Sequence, residues 1–147
     1  MQDRIVFTNP DGSCGVIIPT GDISTADVMA KDVPADAINA RQITVDDLPA
    51  DRLFRGAWDD SNPEQFIGVN MEKARLIGHD MRRVDRETKL APLDKEFTFA
   101  GTSTARKSEI NAERNSILDA NALIQTGIDN AVDEVALRTV LTDSGVI

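Results

Sequence analysis

Apolar and polar positions follow one rhythm over the first 70 residues of this chain and another afterwards. In the first part, short apolar runs of strand length are separated by turn residues. Ile5-Val6-Phe7 and Val16-Ile17-Ile18 flank Asn9-Pro10-Asp11-Gly12, which predicts a hairpin with strands over 4–8 and 13–18. Pro10 has its φ fixed for the second position of a turn, and Gly12 takes the left-handed conformation that closes it. Pro19 ends the second strand, because it has no N–H for a ladder.

Residues 23–33 predict a short helix, with Ser24 as N-cap, Asp27 completing a capping box and Pro34 stopping it. Residues 41–45 alternate as a third strand. LFRGAW at 53–58 and QFIGV at 65–69 read as two further extended segments around a polar loop. These strands predict one small antiparallel sheet that buries Phe7, Val16, Ile18, Ile43, Phe54, Trp58 and Phe66. A lone hairpin is marginal in water, so the neighbouring strands are its expected support. Its exposed edge also offers a place for a partner's strand.

From Asn70, a predicted N-cap, the period lengthens to three and four. Met71, Ala74, Ile77, Met81, Val84 and Thr88 form a narrow stripe on a helix whose other faces are charged. Pro92 is expected to interrupt that helix. A second helix is predicted from Ser103 or Thr104 to Thr126, with Ile110, Ile117 and Ile124 seven residues apart and Gly127 ending it. A short third begins at Asp129 or Asn130, with Val132, Val135, Ala136 and Val140 on one face. Seams this narrow suit pairing with other helices rather than covering a broad core.

The pattern therefore predicts an α+β chain: a small N-terminal antiparallel β-sheet domain over 1–69, then a helical hairpin or arm over 70–147, made of two long helices and a short terminal one. The residues expected to meet a partner are Met71, Ala74, Ile77, Met81, Val84, Ile110, Ile117 and Ile124. At 147 residues there is room for one domain, or one with an appendage.

Charge narrows the partners. The net charge is −9, and the front 70 residues carry −7 of it, from 5 basic and 12 acidic groups. Phosphate binding needs clustered Lys and Arg, so nucleic acid and anionic membrane are not expected partners. No apolar run approaches a membrane span and no basic-plus-apolar leader precedes residue 4, so a soluble, unsecreted protein is expected.

Candidate chemistry is sparse. The chain has neither a phosphate loop of the G-x-x-x-x-G-K-[ST] form nor a G-x-G-x-x-G turn nor a G-x-S-x-G elbow. His79, the single histidine, reads as a solvated helix residue in preference to a metal ligand. Cys14, the single cysteine, has no helix N-terminus to lower its pKa, so a nucleophilic pair with His79 is the weaker reading. Asp59-Asp60-Ser61-Asn62-Pro63-Glu64 gathers oxygen donors but lacks the alternating order that wraps calcium. No catalytic residue, cofactor or metal site is expected.

R-I-V-F-T-N-P-D-G-S from Arg4, L-P-A-D-R-L-F-R-G-A-W at 48–58 and N-M-E-K-A-R at 70–75 stand out as blocks. They resemble a group of small bacteriophage tail-gene proteins described as tail fibre assembly or tail assembly chaperone-like. The M-x-K-A-R-x-I-x-x-D-x-x-R helix of that group is matched by Met71, Lys73, Ala74, Arg75, Ile77, Asp80 and Arg83. Its L-D-x-x-F step is matched by Leu93, Asp94 and Phe97, and its closing E-x-x-L by Glu134 and Leu137. FTFAGTSTARKSE stands where the group has an alanine-rich linker, and the chain closes on VALRTVLTDSGVI.

The resemblance implies no enzymatic activity and no cofactor. It implies a tail-associated structural or interaction protein, at the distal tail or the tail fibre attachment, that binds stoichiometrically through its helices. The alternative is a non-virion chaperone for a tail or fibre protein. Expected partners are other phage tail or tail fibre proteins, together with self-association, in the virion tail or in the host cytoplasm during assembly. A small enzyme without a recognisable motif is the third reading.

Overall fold

The computed structural model describes residues 3–61 and 67–147. Phe66 and the loop positions Asn62, Pro63 and Glu64 lie outside the described residues. The chain is α+β and divides into two compact units, Met1–Ala74 and Arg75–Ile147.

In the first unit, strands β1 (Asp3–Thr8), β2 (Cys14–Ile17) and β3 (Ile38–Thr44) form an antiparallel sheet in the order β2-β1-β3. The Asn9–Gly12 turn closes as its residues dictate. Gly12 N–H donates to the Asn9 carbonyl at 2.8 Å, Gly12 takes φ +79°, and Asp11 Oδ1 accepts from Ser13 N at 2.9 Å. Ile5 pairs with Ile17 and Val6 with Val16, while Arg4 faces Ile43 on the other side. β1 is thus the central strand, and the open edges belong to β2 and β3.

Arg4 to Phe7 are all buried, so β1 is covered on both faces. Strand alternation puts Val6 with Leu48, Trp58 and Ile67 in one core, and turns Ile5 and Phe7 the other way. Helix α1 (Thr25–Asp32), which packs on β1 and β3, buries Val28. Ser24 caps it, accepting from Asp27 N at 3.2 Å and donating to Asp27 Oδ2 at 2.6 Å.

Three expectations for this unit are corrected. LFRGAW is not extended: Arg55–Ala57 form a single 3-10 turn, and only Trp58–Asp59 (β4) are strand. β4 pairs with Gly68–Val69 (β5) in a separate two-stranded ribbon, so the predicted single sheet is two. Phe54 and Trp58 are buried as expected, Phe54 from the start of the turn and Trp58 from β4. Ile18 is 57% exposed, because β2 ends at Ile17 before Pro19.

Helix α2 (Met71–Thr98) begins as predicted, with Asn70 Oδ1 accepting from Lys73 N at 3.1 Å. The second unit holds its length from Arg75 onward, together with α3 (Thr104–Asn130) and α4 (Glu134–Asp143). Ser103 caps α3 through Arg106 N, and Asp133 caps α4 through Ala136 N at 2.8 Å.

α2 and α3 run antiparallel, as the order of their cross-links requires: Glu96 with Arg106, Asp94 with Arg114, Arg82 with Asn121 and His79 with Asp129. α4 closes the unit by burying Leu137 and Leu141 completely. At the crossings the side chains are small. A Cβ on Gly78 would lie 3.3 Å from Leu137, and one on Gly127 would lie 2.9 Å from Val140.

Three boundaries differ from the sequence reading. Pro92 lies inside α2 rather than ending it. An interior proline is costly to a helix, and beyond it α2 is tied to the facing helix: Glu96 grips Arg106 bidentately at 2.7 and 2.9 Å, and the Arg114 guanidinium sits 4.4 Å over the Phe97 ring. Gly127 does not end α3, since its missing side chain makes room for Val140. The last helix starts at Glu134 and buries Leu137 and Leu141, while the predicted face residues Val132 and Val135 are 80% and 68% exposed.

Candidate functional site

From Ile77 onward, the predicted stripe on α2 is not the face that packs against α3 and α4. Gly78 and Arg82, both buried, point toward α3 and α4. Ile77, Met81, Val84 and Thr88 lie roughly a quarter-turn around the helix at ~100° per residue. Ile77 and Met81 are half-buried, and Val84 is 64% exposed.

These residues line an open groove of 540 Å³, completed by Asp80, Asp85 and Val146. Val146 arrives from the chain after α4. Gly145 turns the backbone at φ +69°, and Val146 N–H donates to the Leu141 carbonyl at 2.9 Å. This left-handed stop brings an apolar residue back over the helix end. The groove therefore has an apolar floor, a valine wall and two carboxylates on its rim.

Both carboxylates already hold a cation. Asp80 pairs with Arg83, one turn along at 2.5 Å, and Asp85 with Lys89 at 2.8 Å. Those cations are not among the residues lining the groove.

A second groove, of 280 Å³, lies between α2 and α3, with Asp85 on both rims. Its floor includes Ile117, Ile124 and the buried Asn121, and Arg86, Lys89 and Ser144 border it. Arg82 stands behind Asn121, which accepts from its guanidinium and donates back to its backbone carbonyl at 3.5 Å. Burial pushes the Arg82 guanidinium down from its ordinary value, and Arg86 and Arg83 push the same way.

Of the eight residues read as partner-facing, Ile77, Met81 and Val84 share the first groove, and Ile117 and Ile124 the second. Ile110 is fully buried within the chain, so it is a core residue and not a contact. Ala74 is likewise fully buried, and it falls with Met71 in the first unit. Helical spacing found the stripe but did not separate the internal residues from the accessible ones. Val146, Asp80 and Asp85 were missed; Gly145 followed by a valine was the available signal for the first of them.

The other candidates resolve into structure. His79 is not freely solvated: its side chain is 14% exposed, and Nε2 lies 2.9 Å from Asp129 Oδ1, tying α2 to α3. Burial, then the Asp60 carboxylate, pushes the Cys14 thiol above its ordinary 9.0, which is opposite to what a nucleophile needs. Asp60 belongs to an ion pair, receiving both guanidinium nitrogens of Arg41 at 2.7 Å with its side chain 1% exposed. Among the described residues, no three His, Cys, Asp or Glu side chains gather to hold a metal ion. No described helix is long and apolar enough to cross a membrane.

Comparison of the chain with known protein families, curated proteins and solved structures finds no significant match.

Proposed function

We propose that this chain is a non-enzymatic interaction protein that binds a partner stoichiometrically through the helices of its second unit. The observation that carries the reading is the apolar floor formed by Ile77, Met81 and Val84 in an open groove on α2. A folded helix gains by covering such a stripe, and a partner side chain fully buried there contributes about 1.5–3 kcal/mol. The stripe also has the three- and four-residue spacing that receives another helix.

The identity of the partner rests on the resemblance of the Arg4, 48–58 and 70–75 blocks to phage tail-gene proteins. On that ground the partner is a tail or tail fibre protein, and the chain is a component of the particle near the distal tail. Quantitative mass spectrometry of purified mature particles, scaled to the major tail protein, tests this. Recovery at a fixed integral ratio supports the virion component. Absence from particles, with the chain bound to a fibre protein in the lysate, replaces that reading with the chaperone.

A further inference from the structure

We infer that the α2 groove selects an amphipathic helix of another protein whose apolar stripe is flanked by Lys or Arg, and disfavours a second copy of α2. The inference rests on the docking reading above and adds the chemistry of the occupant. Its basis is the set of charges that border the stripe.

Ile77, Met81, Val84 and Thr88 step by four, three and four, which is the alternating repeat of a helix-pairing seam. In such a seam, the positions immediately beside the apolar row face the partner's flanks. Here Asp80 and Glu87 lie along one side and Asp85 along the other, with Gly78 beside it. Asp80 and Asp85 are among the groove's lining residues. Every charged flanking position over this stretch is therefore acidic, although α2 as a whole is rich in arginine and lysine. Arg82 and Arg86 fall toward α3, while Arg83 and Lys89 reach back to Asp80 and Asp85 from outside the groove lining, so a partner's cation shares or displaces them.

A second copy of α2 would bring acidic flanks against acidic flanks in either direction. Parallel pairing sets Asp80 against Asp85, and antiparallel pairing sets Asp80 against Glu87. Like charges in these positions oppose association, and opposite ones select a partner. A basic-flanked helix reverses every one of these pairings.

The probes are two synthetic three-heptad peptides with leucine seams, one with Lys and one with Glu at all flanking positions; their like charges keep each monomeric. Fluorescence anisotropy with the full chain should show the Lys peptide binding at least ~10-fold tighter than the Glu peptide, with the difference shrinking as salt rises. Asp80→Lys with Glu87→Lys, both at exposed positions, should reverse the preference. Val84→Asp separates docking from general attraction. It adds negative charge at an exposed site, so it should weaken the Lys peptide if the groove binds it and strengthen it if attraction is diffuse.

Equal affinity for the two peptides overturns the charge selection while leaving helix docking intact. Failure of both to bind overturns docking as well. A chain dimer in sedimentation velocity that Val84→Asp dissociates makes a second copy the occupant and also overturns the inference.

Discussion

Asn121 takes the guanidinium of Arg82 inside the second unit, and the two residues are 5% and 6% exposed. A buried cation held by a neutral amide on the facing helix is sensitive to the loss of that amide. Asn121→Leu should destabilise the chain by about 1.5–3 kcal/mol, the range for a hydrogen bond to a charged group. Arg82→Leu combined with Asn121→Leu should recover much of that loss, because an apolar pair leaves nothing unsatisfied. Urea denaturation of the two single variants and the double variant gives the coupling. Additive losses would refute it.

Gly127 and Val140 set the approach of α4 to α3. Gly127→Ala gains ~1 kcal/mol of helix propensity, but its Cβ meets Val140 at 2.9 Å, and overpacking costs ~1–3 kcal/mol. Packing is expected to win, so the melting temperature should fall. Val140→Ala added to Gly127→Ala should remove the clash and raise it above that of Gly127→Ala alone. Differential scanning calorimetry of the three proteins decides the point.

Arg41 and Asp60 join β3 to the segment after β4. Asp60→Leu removes the buried partner of the pair and leaves Arg41, 23% exposed, without its carboxylate, a change expected to cost about 1.5–3 kcal/mol. The loss should appear as unfolding of the first unit, read from Trp58 fluorescence. Arg41→Leu on top of Asp60→Leu should restore part of it.

Acid should loosen the first unit at the end of β3. Asp47 accepts from Thr44 N at 2.7 Å and from Thr44 Oγ1 at 2.8 Å, and these bonds hold its carboxyl below the ordinary 3.8. A carboxyl depressed in the folded state contributes stability above its unfolded value and loses it as pH falls through the folded value. The contribution is therefore complete above about pH 5 and fades below pH 4. Asp47→Asn should flatten that part of the stability profile in chemical denaturation at stepped pH. An unchanged slope would remove Asp47 from the account.

Cys14 should be slow to alkylate in the folded protein. Burial raises its thiol, so less of it is in the reactive thiolate form than for an exposed cysteine. Iodoacetamide labelling should accelerate sharply in urea. Equal rates in the folded and unfolded chain would contradict the burial.

Local chemistry determined much of this architecture. Pro10 and Gly12 define the hairpin, Ser24 with Asp27 starts α1, and Asn70 and Ser103 start the long helices. Each is a short-range signal, in which a backbone group meets a side chain within a few residues, so the sequence carries it whole. The stripe Ile77-Met81-Val84 is legible for the same reason, because a helix repeats every few residues wherever it lies.

The tertiary structure decided what those faces meet. Pro92 was expected to break α2, yet α2 continues past it to where Glu96, Asp94 and Phe97 meet Arg106 and Arg114 of the facing helix. Gly127 was expected to end α3 and instead admits Val140. Ile110 is core while Val84 is exposed, although helical spacing treats them alike. Periodicity ranks the faces of a helix by apolarity but does not say which one the neighbouring helices cover. That depends on where small residues such as Gly78 and Gly127 allow α4 to approach, and on Gly145 turning Val146 back to the rim. The groove exists because the close-packed face of α2 runs through Gly78 and Arg82, leaving its most regular apolar stripe beside the core rather than in it.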